Sequence, residues 1–214
     1  MNLKASFAVA AAGLFLAAGQ ASADTITFET LAVGTIASNQ FPGVTFSANA
    51  FSGAGSSTSG QPWATNTNLT VVASGGSDAG GLGAPSLVSG NILRSFAGWL
   101  TENGDPSFRV SFAAPINSFG ATFAGVNTGA DVTIWAYNGA TQVGTISGVT
   151  TGQFTLSLAA ATITSVVIRP GSFNDWVGVD NITFTPAAVV PEASTYAMMG
   201  LGLALLAFKR RKAA

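Results

Sequence analysis

Short segments in which apolar and polar residues alternate recur between residues 24 and 188, and they constrain the fold more than any other feature. Side chains of a β-strand point alternately to opposite faces, so this alternation predicts half-buried strands. The segments follow one another about every ten residues, with Gly and Asn turns between them, which is typical of an all-β body, a β-sandwich or jelly roll. The predicted strands are 25–28, 43–47, 67–73, 107–112, 116–124, 131–134, 141–147, 153–158, 162–169 and 177–185. Asn138 and Gly139 predict a tight type I′ hairpin turn.

Composition excludes several classes of chemistry. The chain contains no Cys and no His, so Ser-His and Cys-His catalysis, ordinary zinc sites and disulfides are impossible. Charged residues make up 8% of the chain, far below the roughly 25% of an average soluble domain, which favours an exported protein with a Ser/Thr/Asn surface. The body holds three basic residues, Arg94, Arg109 and Arg169, against eight acidic ones, a net charge of -5. This balance argues against nucleic acid as a partner.

The N-terminus has the parts of a secretory signal peptide. Lys4 precedes an apolar stretch that begins at Ala5 and ends at Ala18, and Ala21-Ser22-Ala23 closes the segment. A positive start, a short apolar core and an Ala-x-Ala end predict a signal peptide helix over residues 1–23, removed after Ala23.

The C-terminus, residues 189–214, also has three parts. An apolar segment lies between a polar motif and a basic cluster, and positive charge after an apolar segment is retained on the cytoplasmic side. We therefore expect a C-terminal transmembrane helix in the inner membrane, with the body, residues 24–188, held outside. The motif residues are Val190, Pro191, Glu192, Ser194 and Thr195, and the stop-transfer residues are Lys209, Arg210, Arg211 and Lys212.

This tripartite end resembles the PEP-CTERM sorting signal of Gram-negative bacteria, a tail also catalogued as "ice-binding protein C-terminal domain". Ala193 stands where the family pattern has a second Pro. The resemblance implies recognition by an exosortase, a membrane transpeptidase, with processing near Pro191 and Glu192. It also implies delivery to the cell surface, to the extracellular matrix of a biofilm, or into the medium.

The body is similar in pattern to the jelly-roll domains of PEP-CTERM proteins and to carbohydrate-binding modules. Such sandwiches often hold a structural Ca²⁺ between the first and last strands. Glu29 ends the first predicted strand, and Asp180 shares strand parity with Ile182 and Phe184, so we expect it to face the core. A buried carboxylate needs a partner or a metal, and Ca²⁺ takes six to eight oxygen ligands. A calcium site at Glu29 and Asp180 is one hypothesis; caps or solvated strand ends are the alternative.

Trp135 and Tyr137 share one face of the strand that begins near residue 131, opposite Ile134 and Ala136. Exposed aromatic side chains on a sandwich can stack on sugar rings, which makes the pair a candidate ligand-binding site. A position for Trp135 in the core between the sheets is the alternative.

These features favour a non-catalytic, exported interaction domain that binds exopolysaccharide, and they give no reason to expect an enzyme. An extracellular glycan hydrolase or lyase is the alternative, with Glu102 and Asp105 as the nearest pair of carboxylates. Ice binding through a Thr-bearing face is a third reading. Its Thr-x-Thr pairs are Thr25/Thr27, Thr65/Thr67, Thr162/Thr164 and Thr183/Thr185, at irregular spacing.

Overall fold

In the part of the body that the structure describes there are nine β-strands, and all but β4 follow the alternating segments of the sequence. A computed structural model describes residues 22–48, 69–74, 87–95, 107–126, 130, 132–171, 177–187 and 200–202. The strands are β1 Asp24–Ile26, β2 Val44–Ala48, β3 Leu69–Ala73, β4 Asn91–Ser95, β5 Phe108–Val126, β6 Val132–Asn138, β7 Thr141–Ser147, β8 Gly152–Pro170 and β9 Gly178–Pro186.

All nine strands belong to one hydrogen-bonded sheet of antiparallel pairs. Its order is β3-β4-β9-β5-β8-β6-β7, with β1 added to β9 and β2 added to β5. The prediction of an all-β body is confirmed.

The two longest strands each change neighbours along their length. The first part of β5 pairs with β2, whereas residues 116–124 of β5 pair with β9. In β8, residues 165–170 pair with β6, and the earlier residues pair only with β5. Register shifts after Ser111 mark the point where β5 passes from one set of partners to the other. The sequence predicted two strands in each case, at 107–112 and 116–124 and at 153–158 and 162–169.

Phenylalanine rings from strands that do not pair with each other meet in one core. The ring of Phe28, after β1, lies 5.9 Å from that of Phe46 in β2. The ring of Phe112 in β5 lies 5.2 Å from that of Phe184 in β9. Residues from every strand contribute to this core except β7, whose Ile146 packs against its margin. The arrangement is all-β and is consistent with a β-sandwich.

The segment that precedes β2 covers strand edges on one side of the body. Gly34 N donates to Val71 O and Ala37 N donates to Leu69 O, so this segment pairs with β3. Phe46 N donates to Ser38 O, which ties the same segment to β2. An edge strand that is covered in this way does not offer its amides to another chain.

The hairpin between β6 and β7 differs in detail from the prediction. Asn138 pairs with Thr141, so the two-residue loop is Gly139 and Ala140 rather than Asn138 and Gly139. Gly139 has a φ of 58°, and glycine at the first loop position is typical of a type II′ turn. The hairpin prediction is right, and the predicted turn type is wrong.

The described body, Ser22–Ala187, is a compact unit. The predicted signal peptide, except for residues 22 and 23, lies outside the described residues. So does most of the predicted membrane helix, of which Gly200, Leu201 and Gly202 are described and helical. Across the ranges that the structure describes, no helix is long and apolar enough to cross a membrane.

Candidate functional site

The edge of β9 changes its partner at Asp180 and Asn181. Before this point Val179 pairs with Leu93 of β4, and after it Ile182 pairs with Ile26 of β1. Asn181 has a φ of 47°, the one described residue other than glycine with a positive φ. Such a residue, with a one-residue register shift against β5 between Gly120 and Thr122, is typical of a β-bulge. The bulge leaves a gap between the end of β1 and the start of β4.

Because of the bulge, the prediction that Asp180 points to the same side of the strand as Ile182 is wrong. The residue pairs with Thr122 of β5, and the extra residue at Asn181 puts it out of phase with Ile182. Asp180 is nevertheless buried, with an exposed fraction of 3%, because the segment before β4 lies against it. The backbone of Ser89 in that segment hydrogen-bonds to the Asp180 carboxylate. The burial was predicted correctly, but for the wrong reason.

One oxygen of Asp180 has no hydrogen-bond partner among the described residues. Oδ1 is buried, and no donor among the described residues reaches it. An unsatisfied buried polar atom costs about 1–3 kcal/mol, and more when it belongs to a charged group. The fold therefore maintains an unfavourable carboxylate at the gap in the edge of β9.

Glu29 reaches the same gap from the end of β1. Its Oε1 accepts a hydrogen bond from Asn91 N at 3.1 Å, at the first residue of β4. Asn91 Nδ2 donates to Leu31 O at 2.8 Å, which fixes the loop that carries Glu29. Gly90 has a φ of 66°, and a Cβ on it would collide with the Glu29 carboxylate. The sequence predicted Glu29 and Asp180 as neighbours, and the structure brings them together.

The pKa of Asp180 reflects this environment. It is raised from 3.8 to about 6, chiefly because burial removes the carboxylate from water. The nearby charge of Glu29 also raises the pKa, while backbone hydrogen bonds with Asn181 and Ser89 lower it. A cation bound between the two carboxylates would offset the cost of burying Asp180 and the repulsion from Glu29, and it would lower the pKa of Asp180.

The donor set at the gap matches a hard cation. The two carboxylates of Glu29 and Asp180 are oxygen ligands, which Ca²⁺ prefers. In the described part of the chain no three acidic, His or Cys side chains come together, so carbonyl oxygens and water would have to complete the coordination. The buried Asp180 Oδ1 provides one ligand to which no described residue donates a hydrogen bond.

Trp135 and Tyr137 lie on the outward face of β6, away from the core. Their neighbours Ile134 and Ala136 are fully buried, while both aromatic side chains are half-buried. The alternative reading, in which Trp135 fills the core between the sheets, does not match this position. The two rings are placed where a ligand could contact them.

Two arginines flank these rings, and together the four side chains form what we call the arginine–aromatic face. The guanidinium of Arg109 in β5 lies 5.4 Å from the centre of the Tyr137 ring. That of Arg169 in β8 lies 5.7 Å from the centre of the Trp135 ring. Arg109 Nη1 also donates to Ser165 Oγ at 2.8 Å. Sequence reasoning did not assign the arginines to this site; their rarity in the body was the available signal.

The threonine pairs do not form one array among the described residues. Thr25 pairs with Thr183 across β1 and β9, and Thr185 Oγ1 accepts a hydrogen bond from Ser118 Oγ at 2.8 Å. Thr164 Oγ1 instead accepts from Gly139 N at 2.9 Å. Thr65 and Thr67 lie outside the described residues, as do Glu102 and Asp105.

The sorting residues Val190, Pro191, Glu192, Ser194 and Thr195 and the basic residues Lys209, Arg210, Arg211 and Lys212 also lie outside the described residues. A family comparison identifies the segment that contains them. Residues 189–212 match the PEP-CTERM protein-sorting motif. The chain carries this sorting signal. The motif implies an exported protein, as the order of the three parts predicted.

Nine chains of solved structures match this one, and two of them illustrate different kinds of protein. One is the K2 cleaved adhesin domain of Lys-gingipain, at 15% identity and a TM-score of 0.49, with 77% of this chain and 99% of that chain covered. The other is a family 6 carbohydrate-binding module, at 19% identity and a TM-score of 0.30, with 50% and 80% covered. The sequence matches no curated protein. The β-sandwich assignment therefore depends on the strand pairing described above.

Proposed function

We propose that this protein is a non-catalytic binding domain of the cell surface or extracellular matrix, and that it binds exopolysaccharide. An exosortase processes it at the PEP-CTERM motif, after the C-terminal segment has held it at the inner membrane. The outward position of Trp135 and Tyr137 is the observation that supports the binding role. Half-buried aromatic rings on the outward side of a sheet offer flat apolar surface to sugar rings.

Ca²⁺ has a structural role in this proposal. Glu29 and Asp180 hold it together with backbone oxygens at the gap between β1 and β4, where Asp180 Oδ1 has no donor among the described residues. The ion would join the first strand, the last strand and the segment before β4, and it would neutralise two carboxylates that otherwise repel each other. At this position the ion would stabilise the fold.

The binding role is tested with residues 22–190, which contain the compact unit Ser22–Ala187. The fragment is screened in calcium against a panel of polysaccharides that includes the exopolysaccharide of the host. We expect binding that falls at least tenfold in Trp135→Ala, since burial of one large apolar side chain contributes about 1.5–3 kcal/mol. Release of new reducing ends from the bound polysaccharide would show catalysis and contradict the proposal. Binding that Trp135→Ala leaves unchanged would remove the aromatic pair as the site.

A further inference from the structure

We propose that the arginine–aromatic face selects acidic polysaccharides, with Arg109 pairing with a carboxylate or sulfate of the glycan while Trp135 and Tyr137 pack against its sugar rings. The inference rests on the proposed function, because it names the class of glycan that the same face binds. It follows from the distribution of charge and from the register of three strands.

The charges of the body are distributed unevenly. Between residues 24 and 190 the cationic side chains are Arg94, Arg109 and Arg169, with no Lys. Two of these three belong to the arginine–aromatic face. The strands β2, β5, β6, β7 and β8 contain no Asp and no Glu. The strands that present the aromatic side chains thus carry two arginines and no acid of their own, with Asp131 directly before β6, and a guanidinium on these strands suits an anionic ligand.

Strand register places the four side chains in neighbouring rows. Arg109 pairs with Val167, and Val167 pairs with Trp135, so Arg109 and Trp135 stand on either side of the central strand β8. Strands are spaced by about 4.8 Å, which separates the two by roughly 10 Å. The Arg109 side chain reaches across β8, because its guanidinium donates to Ser165 Oγ and lies over the Tyr137 ring. Val167 is buried, with 1% of its surface exposed, so a sugar unit can contact the half-buried side chains of Trp135 and Arg109 but not Val167 itself.

The contacts of Arg109 hold its guanidinium in place. It is fixed by the hydrogen bond to Ser165 Oγ and by its position over the Tyr137 ring. A planar guanidinium matches the two oxygens of a carboxylate, and a fixed one loses less entropy on binding than a mobile lysine does. Arg169 is buried, with 8% of its surface exposed, and its Nη2 donates to Ala130 O. We assign Arg169 to the positioning of Trp135 and Arg109 to contact with the ligand.

The test compares glycans that differ in charge. The full chain, purified in detergent, is titrated calorimetrically with polygalacturonate, dextran sulfate and neutral dextran, at low and at high salt. We expect tighter binding of an anionic glycan than of dextran, and a loss of that preference at high salt. The first two glycans distinguish a carboxylate from a sulfate as the recognised group.

Variants separate charge from stacking. Arg109→Gln should weaken binding of the preferred anionic glycan at least tenfold and leave dextran binding unchanged. The affinity of Arg109→Lys for the anionic glycan should lie between those of the wild type and Arg109→Gln. Asn39→Asp is the matched control, since it lowers the net charge by one in an exposed loop and should change binding less than twofold. Circular dichroism checks that each variant is folded.

Two results overturn the inference in distinguishable ways. Equal affinity of the wild-type chain for charged and neutral glycans, with Trp135→Ala still abolishing binding, would refute acid recognition and keep the proposed function. Absence of binding to every polysaccharide, including the host's own, would refute both. The salt and charge dependence of the wild-type chain decides the matter even if Arg109→Gln does not fold.

Discussion

The clearest quantitative consequence of the structure concerns Asp180 in the absence of metal. Its pKa is raised from 3.8 to about 6, so the folded protein holds a proton on this carboxylate more tightly than the unfolded chain does. At about 1.36 kcal/mol per pKa unit, this difference is worth at most about 3 kcal/mol. The metal-free protein has this contribution in full below pH 3.8, loses it as the pH rises to about 6, and lacks it above.

The substitution Asp180→Asn removes the charge and keeps the size of the side chain. In EGTA at pH 7.5 we expect the variant to be more stable than the wild type by up to about 3 kcal/mol, or roughly 6–12 °C in Tm for a domain of this length. Below pH 3.8, where the wild-type carboxyl is protonated in both states, the two proteins should melt within experimental error of each other. Thermal unfolding of residues 22–190 from pH 3.5 to 7.5 measures the difference.

Calcium should cancel this difference and, at a high enough concentration, invert the order. Ca²⁺ stabilises the wild type by favouring the ionised carboxylates, and the gain is about 2.7 kcal/mol at 100 times its Kd and about 4.1 kcal/mol at 1,000 times its Kd. The Asp180→Asn variant should gain little, and Asp24→Asn, an exposed acid on β1, is the control that should respond like the wild type. A Tm difference that is the same at pH 3.5 and pH 7.5 would refute the buried-charge reasoning. An equal calcium response of all three proteins would refute metal binding at Asp180.

Two further substitutions test the geometry. Gly90→Ala should destabilise the body more than Gly34→Ala. Both glycines have positive φ, which costs any other residue about 1–2 kcal/mol, but a Cβ on Gly90 also displaces the Glu29 carboxylate from its hydrogen bond with Asn91 N. Chemical unfolding of the two variants measures the difference. Ile134→Ala should cost about 2–5 kcal/mol as a core truncation, whereas Trp135→Ala, on the outward face, should cost less; the same loss for both would place Trp135 in the core.

The sequence predicted most strands because their two faces meet different environments. In β6, Ile134 and Ala136 are buried while Trp135 and Tyr137 are half-buried, which is the alternation that the pattern detects. The strand β4 was not predicted, because its residues Ile92 and Leu93 are both buried. Leu93 belongs to the main core and Ile92 to a second, small cluster with Val88 and Ala124. A strand covered on both faces shows no alternation.

The alternating pattern of the sequence could not predict where strands change partners or which side chains of different strands come into contact. Periodicity identifies strands, but the register between them determines which side chains meet, and one extra residue reverses the parity of all that follow. The extra residue at Asn181 puts Asp180 and Ile182 on opposite sides of β9, although the sequence spacing predicted the same side. The approach of Arg109 to Tyr137 across β8 depends on the same kind of information, since the two residues lie in strands that do not pair with each other.

The metal site and the arginine–aromatic face belong to different parts of the sandwich, and this makes the two proposals physically separable. Glu29 and Asp180 lie where β9 passes from β4 to β1, whereas the rings and guanidinium groups lie on β5, β6 and β8. None of the contacts described above links the two sets of residues directly. Calcium would therefore act on glycan binding through the fraction of folded protein, because a ligand of the folded state shifts the folding equilibrium without contacting the second site. Removal of calcium would lower binding capacity near the melting temperature and leave the affinity of the folded molecules unchanged.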